Sequence, residues 1–261
     1  MSAETQDKSD GKSDGKSDGT KTKEIELLNL DDVSIFFDCP PDTCDMIKFT
    51  RRSLFEATTA AQAKITVNLI TRFVRCGKSV ITETSSGIGG NTIEFSKCFK
   101  TVQAIELDPI TYYCLNNNSK ILGADTINAI NDNCLKIMPY IKQDVIFMDP
   151  PWGGIDYKKN TINLTYRIDS IDYTMPEIIK LYSKTRLIVV KAPMNIDMSI
   201  YRVNKFNNVG YKYMRQVIFI SSYNNRPLYQ LLFYSNKKIQ LPKTIKTEPA
   251  KHKLIKFKIK D

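Results

Sequence analysis

The sequence predicts an α/β fold: a seven-stranded, mostly parallel sheet with helices on both faces, a C-terminal antiparallel hairpin and a small N-terminal helical lobe. Three observations predict it. Short apolar runs alternate with helical patterns from residue 79 onward, as β-α-β units require. A glycine-rich turn, Ser85-Ser86-Gly87-Ile88-Gly89-Gly90-Asn91, separates the first run from its helix. The last two runs, residues 217–221 and 228–234, are joined through Asn224-Asn225-Arg226-Pro227, so they must pair antiparallel.

The elements follow in order. Residues 8–19 are three copies of Lys-Ser-Asp-Gly, which cannot bury a core, so residues 1–23 are expected to be a disordered, solvated tail. Residues 24–75 read as the helical lobe, with Phe55, Ile65, Leu69 and Phe73 including i, i+4 spacings of one helix face. Residues 76–236 form the expected core. A strand at 79–83 leads through the glycine turn to a helix near 92–98 and a second strand at 101–106. Pro109 suits the first turn of the next helix, and Gly123 ends it. Strands follow at 126–130 and 144–148. The polar stretch 155–175 reads as a loop over the strand ends, 176–183 as a helix and 186–190 as a fifth strand. Residues 237–261 carry nine lysines against Glu248 and Asp261 and read as a mobile basic tail.

Composition narrows the function classes. A net charge of +10 favours a polyanionic partner, RNA or DNA. The chain has one histidine, His252, and no CxxC or Cys/His cluster, which argues against a metal site or a Ser-His-Asp triad. The six scattered cysteines are expected as reduced thiols. No apolar run approaches the roughly 18 residues a membrane helix needs, and the polar N-terminus has no signal-peptide core. An intracellular protein, nuclear or cytoplasmic, is therefore expected, working as a monomer without a membrane partner. The Lys-, Ile-, Asn- and Tyr-rich usage fits an A+T-biased genome, microbial or viral.

The most informative run is Asp149-Pro150-Pro151-Trp152-Gly153-Gly154. Two prolines end the buried strand before it, since neither can donate to a sheet ladder. The carboxyl ends of strands are where open α/β sheets bind ligands. The chemistry suits methylation of an amino group on an aromatic ring, whose lone pair is delocalised and must be aimed. Asp149 and the Pro150 carbonyl can accept the amine hydrogens, and the protein's only tryptophan can stack on the base.

Four elements together resemble the trimethylguanosine synthase family, which methylates the N2 amine of an RNA 7-methylguanosine cap. They are Glu83 with Gly87-Ile88-Gly89-Gly90-Asn91, Glu106-Leu107-Asp108-Pro109, Asn131-Asp132, and the Asp149–Gly154 run followed by Ile155-Asp156-Tyr157. The resemblance covers about residues 42–234 and implies a class I, Rossmann-like methyltransferase. It implies S-adenosylmethionine as cofactor, S-adenosylhomocysteine as product, no metal, and capped RNA as partner.

The resemblance also assigns roles. Glu83, Gly87, Gly89 and Asn91 would hold the methionine part of the donor, with Asp149 beside it. Glu106, 23 residues after Glu83, would hold the ribose hydroxyls. Asp132 would meet the adenine amine. Asp149, Pro150 and Trp152 would be catalytic, with Trp152 stacked on a base that 7-methylation makes cationic. Lys48 would meet cap phosphates, and Phe55 belongs to the acceptor lobe. Leu54 stands where the family pattern has a second tryptophan, and Pro193-Met194-Asn195 replaces Pro-Arg-Asn. Lys191 would substitute for that arginine on phosphate, with Asn195 beside it. Two other readings fit part of the pattern. One is an N6-adenine or N2-guanine methyltransferase acting on internal RNA or DNA. The other is a catalytically silent RNA-binding subunit with the same fold.

Overall fold

The computed structural model of the protein describes residues 25–26, 30–203, 209–221, 223–238, 241 and 255–260. The expected disordered repeat at 8–19 lies outside the described residues. Ahead of the main sheet come β1 (Ile25–Glu26), α1 (Leu30–Phe36), α2 (Pro41–Cys44), β2 (Phe49–Thr50), α3 (Ser53–Glu56) and α4 (Ala60–Ile70). Thr59 starts α4 with a capping box: its hydroxyl accepts from the Gln62 amide while the Gln62 side chain accepts from the Thr59 amide. Ile65, Leu69 and Ile70 of α4 are buried in the same core as the sheet. Cys39 and Cys44, expected as free thiols, are joined as a disulfide across the Pro40-Pro41 turn, which holds their Cα atoms 6.1 Å apart.

The alternation then unfolds much as the sequence predicts. β3 (Val80–Glu83), α5 (Gly90–Ser96), β4 (Thr101–Glu106), α6 (Pro109–Ile121), β5 (Ile127–Asn131), α7 (Cys134–Ile137) and β6 (Val145–Met148) come first. β7 (Thr165–Ile168), β8 (Ile171–Thr174), α8 (Met175–Leu181), β9 (Leu187–Ala192), α9 (Met198–Tyr201), β10 (Tyr213–Ser221), β11 (Pro227–Ser235) and β12 (Ile255–Lys260) complete the chain. The sheet order is β12-β10-β11-β9-β6-β3-β4-β5. Strands β9, β6, β3, β4 and β5 run parallel, while β11 is antiparallel to both β9 and β10. Those seven strands are the expected sheet. The chain leaves β3 toward β5 on one side and returns to β6 on the other, so the strand order reverses between β3 and β6, where such sheets open a ligand crevice.

β6 is buried along its whole length, which is why it reads as a continuous apolar run. Val145 and Phe147 face the core that receives α4, and Ile146 and Met148 face the core that receives α8, following the two-residue strand period. Two expectations need correction. Residues 165–174, read as loop, form an antiparallel hairpin, with Asp169 at φ 54° in its tight turn. Its β-branched and aromatic residues on either side of Asp169-Ser170 are the local cause. Part of the lysine-rich tail, read as mobile, forms β12 on β10 as an eighth strand. Among the described residues, no helix is long and apolar enough to cross a membrane.

Candidate active site at the carboxyl ends of the parallel strands

The glycine turn follows β3. Gly87 (φ +56°) and Gly89 (φ +106°) take the left-handed conformation that residues with a Cβ resist. Glu83, at the end of β3, is fully buried and accepts from the Thr92 hydroxyl at 2.5 Å. Burial pushes its carboxyl up to about 8, against the pull of the Thr92 hydrogen bond. At the end of β4, Glu106 accepts from the Gly87 amide at 2.8 Å and from the Asp108 amide at 2.9 Å. Burial raises its pKa too, and these two amides oppose the shift. Asn131 braces the same corner by donating to the Glu106 carbonyl at 2.8 Å. Asp132 is exposed and accepts from the Asn133 amide at 2.6 Å.

The ends of β6 and β9 carry the second half of the site. Met148 and Val190 are register partners, so Asp149 and Lys191 follow side by side. The Lys191 ammonium is 2.6 Å from Asp149 Oδ2 and 2.8 Å from the Thr58 hydroxyl. Lys191 and Asp149 are 7% and 15% exposed at their side chains, so this ion pair is largely shielded from water. Burial pushes the Asp149 carboxyl up, and Lys191 opposes that shift. The same ammonium stands 5.5 Å from the Trp152 ring and 5.1 Å from the Tyr229 ring.

Trp152 is half-buried and packs where the two cores meet. Tyr157 meets it in a T-shaped contact, ring centroids 5.3 Å apart, and its indole nitrogen is buried without a protein partner. Gly153 (φ +93°) and Gly154 (φ +80°) turn the chain away immediately afterwards. Asn195 ties down the segment that follows, donating to the Tyr157 carbonyl at 2.6 Å and to the Asn160 carbonyl. The hairpin closes over this strand end through Tyr166. Its hydroxyl is 2.5 Å from that of Thr84 and 3.1 Å from that of Ser85, which donates to the Asp149 carbonyl at 2.6 Å.

Thr58 joins the two halves. Its hydroxyl accepts from Lys191 and, at 3.1 Å, from Asn91 in the glycine turn. Its backbone lies so close to Gly90 that a Cβ there would stand 2.6 Å from the Thr58 carbonyl oxygen. Gly90→Ala must therefore push the segment ahead of the sheet away from the glycine turn. A loss of about 1–3 kcal/mol is expected, seen as a melting temperature lower by about 5 °C in a thermal unfolding scan.

Several residues singled out from the sequence sit differently. Lys191, expected on a substrate phosphate, is buried and committed to Asp149 and Thr58 because β9 runs beside β6. Lys48 lies against α6, its ammonium 2.5 Å from the Tyr113 hydroxyl and its amide on Asn118. Phe55 is 75% exposed. Sequence reasoning missed Thr58, Ser85 and Tyr166, whose roles exist only through contacts between distant segments.

The model of one protein family, RNA cap guanine-N2 methyltransferases, matches residues 78–237. The chain belongs to this RNA cap guanine-N2 methyltransferase family. Three relatives resemble parts of it. Uncharacterized protein L320 of Acanthamoeba polyphaga mimivirus is 35% identical over 51% of this chain and 56% of its own length. The trimethylguanosine synthase of Schizosaccharomyces pombe is 36% identical over 32% of this chain and 37% of its own. The trimethylguanosine synthase of Saccharomyces cerevisiae is 26% identical over 71% of this chain and 64% of its own. The chain thus spans less than two thirds of each of these relatives. A putative methyltransferase from Porphyromonas gingivalis W83 shares the fold, with a TM-score of 0.54 at 16% identity, over 86% of this chain and 60% of that one.

The RNA cap guanine-N2 methyltransferase match takes in the glycine turn, Glu106, Asp149, Trp152 and Lys191, and leaves Lys48, Phe55 and Thr58 ahead of it. The crevice suits S-adenosylmethionine, the methyl donor of such enzymes. Nothing lies within 4 Å of where a Cβ on Gly87 would be, so the turn is open to a ligand. Glu83 and Glu106 end adjacent strands beside it, and Asn91 Oδ1 is buried with no partner. Among the described residues, no group of three or more His, Cys, Asp or Glu is arranged to hold a metal.

Proposed function

We propose that the protein methylates the exocyclic N2 amine of a 7-methylguanosine RNA cap. The observation that carries this reading is the pairing of a lysine-held carboxylate, Asp149, with the Trp152 indole at one strand end, across the crevice from the glycine turn. S-adenosylmethionine supplies an electrophilic methyl when bound. Residues 24–75 serve the acceptor, 76–236 form the catalytic core, and 237–261 add a basic extension.

On this reading Glu83, Gly87, Gly89, Asn91, Glu106 and Asp132 hold the donor. Trp152 holds the flat cationic base; Lys48, Phe55 and Asn195 border the acceptor side. Lys191 occupies Asp149 Oδ2, which leaves Oδ1 for one hydrogen of the guanine amine. The Pro150 carbonyl takes the other, and the nitrogen lone pair is aimed at the methyl. Catalysis is positioning, with no strong base. The nitrogen becomes cationic as it is alkylated, and Asp149 stabilises that charge until a proton leaves to water. Lys191 lies near the same indole, but Asp149 neutralises it at 2.6 Å, so the ring still attracts a cationic purine.

The test is incubation of the protein with labelled S-adenosylmethionine and either 7-methylguanosine triphosphate or guanosine triphosphate. Label is expected in the first nucleotide and not the second. Equal labelling of both, or of internal adenine in an RNA, would replace the cap reading.

A further inference from the structure

At the opposite end of the parallel strands lies an open cleft of about 550 Å³. Three connections build it: residues 71–79 between α4 and β3, Asp144 before β6, and Arg186 before β9. It presents four exposed cations, Arg72, Arg75, Lys78 and Arg186, around one lining carboxylate, Asp144. That carboxylate is already engaged, accepting from the Val80 amide at 3.0 Å. Its backbone is fixed as well, since the Asp144 amide donates to the Val80 carbonyl and its carbonyl accepts from Leu187. The floor of the cleft is therefore rigid and its rim is cationic. The end of α4 attracts a cation electrostatically. That accounts for Arg72 but not for Arg186, which arrives from the α8–β9 connection.

We propose that this cleft is a second RNA contact, which binds backbone phosphates of the transcript downstream of the methylated end. The proposal rests on the reading of capped RNA as substrate. Phe73 is stacked on Phe233 and Val74 is buried, so a ligand meets mainly charged groups there. Clustered charge of one sign raises the local concentration of a polyanion, and the whole chain carries +10. Asp144 and Asp149 flank β6, while Arg186 precedes β9 and Lys191 is the fifth residue of that strand. At about 3.3 Å per residue, the cleft is about 17 Å from the transfer centre along either strand. An RNA must pass round the domain to reach it, so a cap dinucleotide is too short to touch both.

The experiment compares the wild-type protein with Arg75→Ala/Arg186→Ala, two exposed loop positions outside the transfer site, after circular dichroism shows both folded. Binding of an uncapped RNA of about 20 nucleotides, long enough at about 3.4 Å per stacked residue to reach round the domain, is read by fluorescence anisotropy at several salt concentrations. The variant is expected to bind about tenfold more weakly. The slope of log affinity against log salt should shrink by about 1.4, two phosphate contacts at about 0.7 each on a single strand. KM for a capped RNA of that length should rise in parallel, and KM for the cap dinucleotide should not change. Unchanged RNA affinity and slope in the variant would overturn the proposal. If the binding loss appears while neither capped substrate is methylated, the RNA contact stands and the cap reading falls.

Discussion

Trp152→Ala should weaken binding of 7-methylguanosine diphosphate by about 30-fold or more, as measured by calorimetric titration. A desolvated cation over an indole is worth about 2 kcal/mol, and the purine also loses its stacking surface. Because Trp152 packs between the two cores, alanine will cost stability as well. Trp152→Phe separates the effects: it keeps most of the packing and offers a weaker face to a cation. Its loss of affinity should be several-fold for 7-methylguanosine diphosphate and slight for guanosine diphosphate. Trp152 is the only tryptophan, so quenching of the wild-type fluorescence gives an independent reading of the same event. Undiminished affinity in the alanine variant would remove the acceptor role from this residue.

Lys191→Met should be the most damaging single change to stability. It leaves the Asp149 carboxylate shielded from water with its counter-ion gone. Breaking a buried pair from one side costs about 3–5 kcal/mol, or about 10 °C in melting temperature for a chain of this size. Asp149→Asn/Lys191→Met should recover most of that loss, since no charge is then stranded. The pH dependence has a definite sign. Burial already raises the Asp149 pKa and Lys191 holds it down, so in the single variant it rises further. The folded chain then keeps a proton that the unfolded chain releases above about 3.9. Stability of the variant therefore falls as pH rises from there to the new folded value, and its deficit against wild type narrows in acid. On the proposed mechanism, in which an ionised Asp149 supports the developing ammonium, the acid limb of kcat should move to higher pH. A deficit independent of pH would show that the lysine acts through packing alone.

Much of the scaffold was readable because local chemistry and tertiary environment agree. β4 runs over the predicted residues 101–106, and Pro109 and Gly123 bracket α6 as their backbone preferences require. The β7–β8 hairpin escaped notice because its polar residues resemble a loop until Tyr166 reaches Thr84 and Ser85. β12 was hidden by lysines that composition alone assigns to a solvated arm. In the candidate site, Asp149 and the glycine turn could be found from turn chemistry and spacing. The Lys191 pairing could not, since it spans 42 positions and follows from the register of β6 against β9. Thr58 left no signal at all, being one hydroxyl among many until three segments converge on it.

The placement of β12 bears on the open edge of the sheet. β10 is nine residues long, and residues Gln216–Ser221 find their second partner in Ile255–Lys260. Shortening the chain before Ile255 would leave that rim with free amides and carbonyls, a template onto which another copy can zip. β12 is the outermost strand in its turn, and its alternating Lys256, Lys258 and Lys260 make the rim it offers a charged one, which discourages edge-to-edge pairing.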